Sequence, residues 1–529
     1  MSWRCCCHLL VCLTLIATAF ATQPAYASGR PLVVGGTLVV NDYTDADARD
    51  NFLSLREAMS VVAGALPGPF TLPERVQMPG CTFNASGMII GGCGAGGDTI
   101  HFAPALTEIV LTSNLPPIVK EGLTINGAVS AGKIVINANA VVTYGFRVNA
   151  DQVTLTNLTI VNTSGNGNAI RLENTLRMGL QIYNNYLGVR PGSTSCSAAA
   201  GITSRPYIGI LLLGGSGMAD YGYGTAYIDN NVIGCAQNDG IVVQDAPYVY
   251  IGQNLSGGSA GNWIGVSRTG ADIGNDGRGI FVCCSNFATA NQILGNHIAF
   301  NALDGIHLNQ AGGATVNYND IIGNSGPGIH VLDSASVTIA NNTAHGNSGP
   351  GIWLDQTNPS PLLTRDNHII GGAYYQNGAA GISESPFAAA NTWSQISTYA
   401  NFGLGVDKQD NGLPDTPAVT LDSLTPVAQG VRVDGTLTTP VLIGNTYHIE
   451  LYRIDPDPTG YGEGRHFIGS TDVTWNLAGN NHWSIANPSG LGCYTAILTD
   501  TDLVGGTSSE FSTNLGTRCI LAYLPTLVR

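Results

Sequence analysis

Between Asp304 and Gly351 the chain repeats itself every 23 residues, reading DGIHLNQAGGATVNYNDIIGNSG, then PGIHVLDSASVTIANNTAHGNSG, then PGIWLDQTNP. Gly305-Ile306, Gly328-Ile329 and Gly351-Ile352 lie 23 apart, as do Asn296, Asn319 and Asn342, and again Asn301, Asn324 and Asn347. A unit this short cannot bury its own apolar side chains, and β-branched residues set between Gly and Asn turns carry no helical period. The repeat therefore dictates a solenoid whose coils are short strands joined by tight turns.

Alternation after each glycine sorts the residues. Ile280, Ile306, Ile329 and Ile352 point inward, with Val282, Leu308, Val331 and Leu354 two positions on. Phe281, His307, His330 and Trp353 lie between them and point outward, stacked at roughly the 4.8 Å spacing of neighbouring strands, in a column that continues upstream through Val242 and Arg171. Asn tolerates left-handed backbone and its amide can bond from coil to coil, so the asparagines read as structural. Asn157, Asn185, Asn231 and Asn262 extend the ladders backwards and Asn367 forwards, at irregular intervals that require loops.

At 529 residues, one compact core is exceeded and flanking domains are expected. Charged residues make up only 11% of the chain, which excludes a highly charged disordered protein. The formal net charge of −15 predicts no general attraction to nucleic acid, and argues against an acidic polysaccharide unless calcium bridges the two. Arg4, the apolar run from Leu9 to Phe20 and Ala25-Tyr26-Ala27 form a secretory signal over residues 1–27, so the mature chain is expected to be secreted or held at the cell surface. No later segment reaches the ~18 apolar residues of a membrane span.

Of 12 cysteines, four (Cys5, Cys6, Cys7 and Cys12) leave with the signal, and the rest sit where disulfides persist. The expected pairs are Cys81 with Cys93, Cys196 with Cys235, and Cys493 with Cys519. Adjacent Cys283 and Cys284 are expected to stay reduced and buried, a vicinal disulfide being the alternative. No Cys-x-x-Cys spacing supports zinc.

A solenoid needs caps at its ends. At the N-terminal end, TLVVN is followed by Ser54-Leu55-Arg56-Glu57, a capping box opening an amphipathic helix to about Ala63. From Ala418 to Ser512, alternating runs such as GVRVDGTL, TYHIELYRI and CYTAILTD between Pro, Gly and Asn turns read as an all-β domain of immunoglobulin-like size.

Several of these segments resemble a known family. Ser54-Leu55-Arg56-Glu57-Ala58 resembles the CSLREA motif of exported bacterial right-handed parallel β-helix proteins of the pectin-lyase-like kind, with Leu53 at the position of the motif's Cys. GCGAGGDTIHFAP (Gly92 to Pro104) and GNWIGVSRTGADIGNDGRGIFV (Gly261 to Val282) resemble it too. GYGEGRHFIGSTDVT (Gly460 to Thr474) and TSSEFS (Thr507 to Ser512) are similar to the β-sandwich module that often follows such helices. The resemblance implies an all-β, right-handed parallel β-helix with an N-terminal cap helix and a C-terminal β-sandwich. The expected division is a cap with first strands over 28–130, β-helix repeats over 131–400, a linker over 401–417 and an immunoglobulin-like sandwich over 418–529. The family implies fold and export better than it implies activity.

Three clusters carry possible chemistry. Asp407, Gln409, Asn411 and Asp415 stand around Gly412 at positions 1, 3, 5 and 9 of a calcium-type loop, a plain polar linker being the alternative. Phe281, His307, His330 and Trp353 offer aromatic faces to a polysaccharide or cell-surface glycan, as in an adhesin, unless the column is filled merely by what tolerates stacking. Asp239, Asp276 and Asp304, with His307, lie near the Gly-Ile anchors and are the candidates for a polysaccharide lyase or glycoside hydrolase, in which two carboxylates act as a pair. They can equally be satisfied by turn hydrogen bonds. The sequence favours a non-catalytic, glycan-binding protein over the enzyme.

Overall fold

The computed structural model describes residues 35–519 apart from 174–178, 215–225, 253–260, 285–289, 359–362, 410–418, 438–443, 455–462, 476–480, 488–489, 491, 503–505 and 517–518. The signal segment, Asn411 and Asp415 lie outside the described residues.

The chain is an all-β solenoid with three parallel sheets. Each coil places a strand in the first sheet, turns at an asparagine, places one in the second, turns again at an asparagine and glycine, and places one in the third. The coil of Gln292–Leu294, His297–Ala299 and Ile306–Asn309 is an example. Among the described residues the first sheet has twelve strands, the second eleven plus the short antiparallel edge strand Ala128–Val129, and the third ten. Strand pairing already begins with Thr37–Val40 against Thr99–Phe102 and ends with Val406–Lys408 against Ile382–Glu384, so the ladder runs beyond 131–400 on both sides.

Register holds residue by residue: Ile280, Ile306, Ile329, Ile352 and Ile382 align and all five are fully buried, as the alternation requires. Burying each isoleucine contributes about 1.5–3 kcal/mol. Asn185, Asn231, Asn262, Asn296, Asn319 and Asn342 form one ladder, each donating its backbone N–H and its Nδ2 to Oδ1 of the next at 2.9–3.1 Å. Asn275, Asn301, Asn324, Asn347, Asn377 and Asn401 form a second. Two asparagines differ from expectation. Leu158, not Asn157, occupies the ladder position below Asn185, and Asn157 turns outward with φ +58° to meet Asn184 and Asn126. Asn367 aligns with Val337 and bonds Asn391 in a separate row.

At the N-terminal end, the helix Leu55–Val62 has the expected reciprocal bonds between Ser54 and Glu57, and lays Leu55, Ala58, Met59, Val61 and Val62 on the first coils. Cys81–Cys93, Cys196–Cys235 and Cys493–Cys519 are paired as expected. Cys283 and Cys284 are also joined to each other, which corrects the reduced state expected from sequence. The reason is local: Cys283 ends its strand and Cys284 turns at φ +73°, so the two sulfurs meet.

The C-terminal part consists of two antiparallel sheets sharing one core. One holds Val419–Pro426, Val431–Leu437 and His482–Asn487; the other is centred on Thr446–Ile454 and Cys493–Asp500. It closes the solenoid. Trp393, fully buried, donates its backbone N–H to Ser508 Oγ and its Nε1 to Ser509 O; Ser394 Oγ and the Gln395 N–H donate to Glu450; Ala400 and Asn401 N–H donate to Glu463. His448 is pushed up to about 9, chiefly by Glu450 and then by Asp472, 2.6 Å from its Nδ1, against some opposing burial. A folded pKa raised above 6.5 contributes stability that is full below the unfolded value and lost as pH rises through about 9. The thermal midpoint of the wild-type chain is therefore expected to fall between pH 7 and 10 more steeply than that of His448→Gln; parallel curves from scanning calorimetry refute this.

Candidate functional site

The third sheet carries one outward row in strict register: Arg171, Leu211, Val242, Phe281, His307, His330, Trp353, Ser383 and Asp407. Beside it runs a second row, the residues before the repeat glycines: Asp239, Arg278 and Asp304. Five coils thus bring together residues from Asp239 to Trp353, spread over more than a hundred positions.

The aromatic row does not present a flat platform. His330 and Trp353 are stacked, centroids 4.5 Å apart at 10°, so each ring covers the other's face. His307 is tilted 59° to His330, and Phe281 meets His307 edge-on at 5.3 Å. His307 and His330 are only 5% and 7% exposed, whereas Phe281 and Trp353 are half-buried. The expected row is present, but the imidazoles fold down onto a carboxylate instead of standing in solvent.

That carboxylate is Asp304. Its Oδ2 lies 2.5 Å from His307 Nδ1 and 3.2 Å from His330 Nδ1. Burial pushes its proton affinity up, but the bonds from both histidines and their charges outweigh this and hold Asp304 below the ordinary carboxylate range. Burial lowers His307, and Asp304 offsets it only in part. Burial lowers His330 as well, yet the carboxylates of Asp304 and Asp355 carry it above the ordinary value. The Nε2 atoms of both rings are buried and have no hydrogen-bond partner among the described residues, although Asp355 Oδ2 stands 3.6 Å from that of His330.

Arg278 ties the two acids of the second row. Its backbone N–H donates to Asp239 Oδ1 at 2.7 Å, its Nη1 is 3.7 Å from Asp239 Oδ2, its Nε is 4.0 Å from Asp304 Oδ2, and its guanidinium lies over the Phe281 ring at 4.2 Å. Asp239, 2% exposed, is raised by burial against these interactions.

Of the sequence candidates, Asp239, Asp304, His307, His330, Phe281 and Trp353 converge. Asp276 does not: it is paired with Arg205 at 2.7 Å and largely exposed. Asp407 continues the outward row two coils beyond Trp353, and the Gln409 Nε2 donates to Ser383 Oγ. Two members were not among the site candidates drawn from the sequence. Arg278 shares the pre-glycine position of Asp239 and Asp304, and Asp355 is the next outward residue after Trp353.

The model of the right-handed β-helix region family matches residues 208–391. No curated protein matches the chain in sequence. Similar solved structures include the periplasmic alginate epimerase AlgG, with 12% identity over 58% of this chain and 76% of that one (TM-score 0.34). The A-module of the Azotobacter vinelandii mannuronan C-5 epimerase AlgE4 has 15% identity over 60% and 83% (TM-score 0.39). The enzymatically active domain of bacteriophage CBA120 tailspike protein 2 has 10% identity over 80% and 72% (TM-score 0.33). Identities this low assign no chemistry to this chain. No helix among the described residues is long and apolar enough to cross a membrane.

Proposed function

We propose that this is an exported or surface-held β-helix protein that binds polysaccharide across its third sheet, as an adhesin or glycan-retaining protein does. The observation that carries this reading is the row Phe281, His307, His330 and Trp353 in register on successive coils with the Arg278 guanidinium at its edge. Because the stacked rings cover one another's faces, recognition runs through the part of the Trp353 ring left exposed and through the Arg278 guanidinium, which is a quarter exposed. Calcium at Asp407, Gln409, Asn411 and Asp415 belongs to the same reading, as a bridge to acidic glycans. Affinity electrophoresis against neutral and acidic polysaccharides tests it. Arg278→Ala and the Trp353→Ala/His330→Ala pair are each expected to weaken retention about tenfold, the effect of losing roughly 1.4 kcal/mol. Full retention by both refutes it.

Cleavage of the bound polysaccharide by a lyase or hydrolase is the second reading, favoured by the way Asp304 fixes His307 through Nδ1 and leaves its Nε2 unpaired. Asp239 is then the second carboxylate. Reducing ends or unsaturated products that appear with the wild type and vanish with Asp304→Asn support it; no products from a broad panel refute it.

A further inference from the structure

The centre of the third sheet satisfies a requirement that sugar contact does not impose. One ligand atom from each of Asp304, His307 and His330 lies within 4.8 Å of the other two, Asp304 Oδ2 bonds Nδ1 of both rings, and all three residues are buried. With metal–ligand bonds of about 2.0–2.1 Å, the donors of a tetrahedral site stand roughly 3.3 Å apart. The His330–Asp304 separation of 3.2 Å already matches, and the His307–Asp304 separation of 2.5 Å needs less than about 1 Å of spreading. The two coils that supply the ligands are locked by the strand register Ile306↔Ile329 and by the asparagine ladders, so the site is built before an ion arrives.

Charge points the same way. Asp239, Asp304 and Asp355 contribute three negative charges and Arg278 one positive, so once both imidazoles are neutral, as metal ligation requires, the centre carries two net negative charges. A divalent cation balances that sum. Arg278 opposes a cation locally, but Asp239 and the Phe281 face hold its guanidinium and the nearest approach to the shared oxygen is 4.0 Å. Asp355, 3.6 Å from His330 Nε2, stands where an outer carboxylate orients a metal-bound imidazole.

We propose that Asp304, His307 and His330 form a three-ligand site for a divalent transition metal ion of the zinc class, oriented by Asp355 and leaving one coordination position for water or a glycan hydroxyl. Two nitrogens and one carboxylate oxygen suit zinc or cobalt and not calcium or magnesium, which take oxygen donors.

The test uses the untagged full chain after chelation, titrated by calorimetry with zinc, calcium or magnesium alone, with cobalt(II) replacing zinc for absorption spectra. One equivalent of zinc is expected, with a four-coordinate cobalt spectrum. Asp304→Asn and His330→Gln are expected to weaken zinc at least 100-fold, and Asp355→Asn by 10- to 100-fold; His345→Gln, on the second sheet, leaves it unchanged. No stoichiometric uptake, or uptake unaltered in Asp304→Asn and His330→Gln, overturns the proposal. Should those variants not fold, the wild-type cobalt spectrum decides, since the six-coordinate spectrum of the free ion overturns it as well. Zinc uptake is measured without glycan, so a wild-type chain that takes up zinc but retains no polysaccharide refutes only the binding function, and one that retains polysaccharide but takes up no zinc refutes only the metal site.

Discussion

Replacing Lys408 by methionine is expected to lower the stability of the solenoid and its C-terminal domain by about 3–5 kcal/mol, because it strands a buried charge. Glu384 is 2% exposed and in register with Leu354, so its carboxylate points into the end of the solenoid core. There it accepts from Asn391 Nδ2 at 2.7 Å and pairs with Lys408 Nζ at 3.0 Å. Lys408 also donates to Ser508 O and sits 5.4 Å from the Trp393 ring, and its backbone N–H donates to Glu510. Methionine keeps most of the side-chain volume, so the loss reports the charge. Adding Glu384→Gln is expected to restore most of it, since no unpaired charge remains. Urea unfolding followed by fluorescence checks both. A loss under about 1 kcal/mol in the single variant, or no recovery in the double, removes the pair from the joint.

Gly305→Ala carries the second large effect. An added Cβ meets Ile321 Cγ2 at 2.5 Å and the Gly328 carbonyl oxygen at 2.7 Å. That carbonyl cannot retreat, because it accepts the Ile306 N–H at 2.9 Å and so sets the rise between coils. The same approach recurs at Gly240, Gly279, Gly328, Gly351 and Gly381. A destabilisation of about 1–3 kcal/mol or more is expected, as for overpacking in a core. Gly91→Ala, where no atom of the described residues lies within 4 Å, is expected to stay within about 0.5 kcal/mol. Equal thermal midpoints for the two variants contradict this account of the repeat glycine.

The coils were legible in the sequence because one physical requirement repeats: Ile inside, Gly at the close approach, Asn in the turn. Where coil length changes the signal fades. Asp239, Arg278 and Asp304 occupy one position on three coils, but the glycines that follow them are 39 and then 26 residues apart, so no fixed period reveals the row. Asn157 shows a second limit. Asparagine suits both a left-handed corner and a ladder rung, and identity alone does not tell which it fills. The burial of His307 and His330 depends on Asp304 drawing in both rings, a choice of side-chain direction that alternation leaves open. The closing of the solenoid was hidden for another reason: the partners of Glu450, Glu463 and Glu510 lie more than fifty residues away in the chain.

The glycine rows, asparagine ladders and strand register make successive coils interchangeable, while the helix at one end and the two-sheet domain at the other are joined to the coils next to them. A 23-residue unit inserted between Gly326 and Pro327 adds one rung of about 4.8 Å to each sheet and leaves both closures as they are. The distance between the two ends is thus a quantity counted in whole coils, and this architecture can lengthen or shorten its reach without redesigning either terminus.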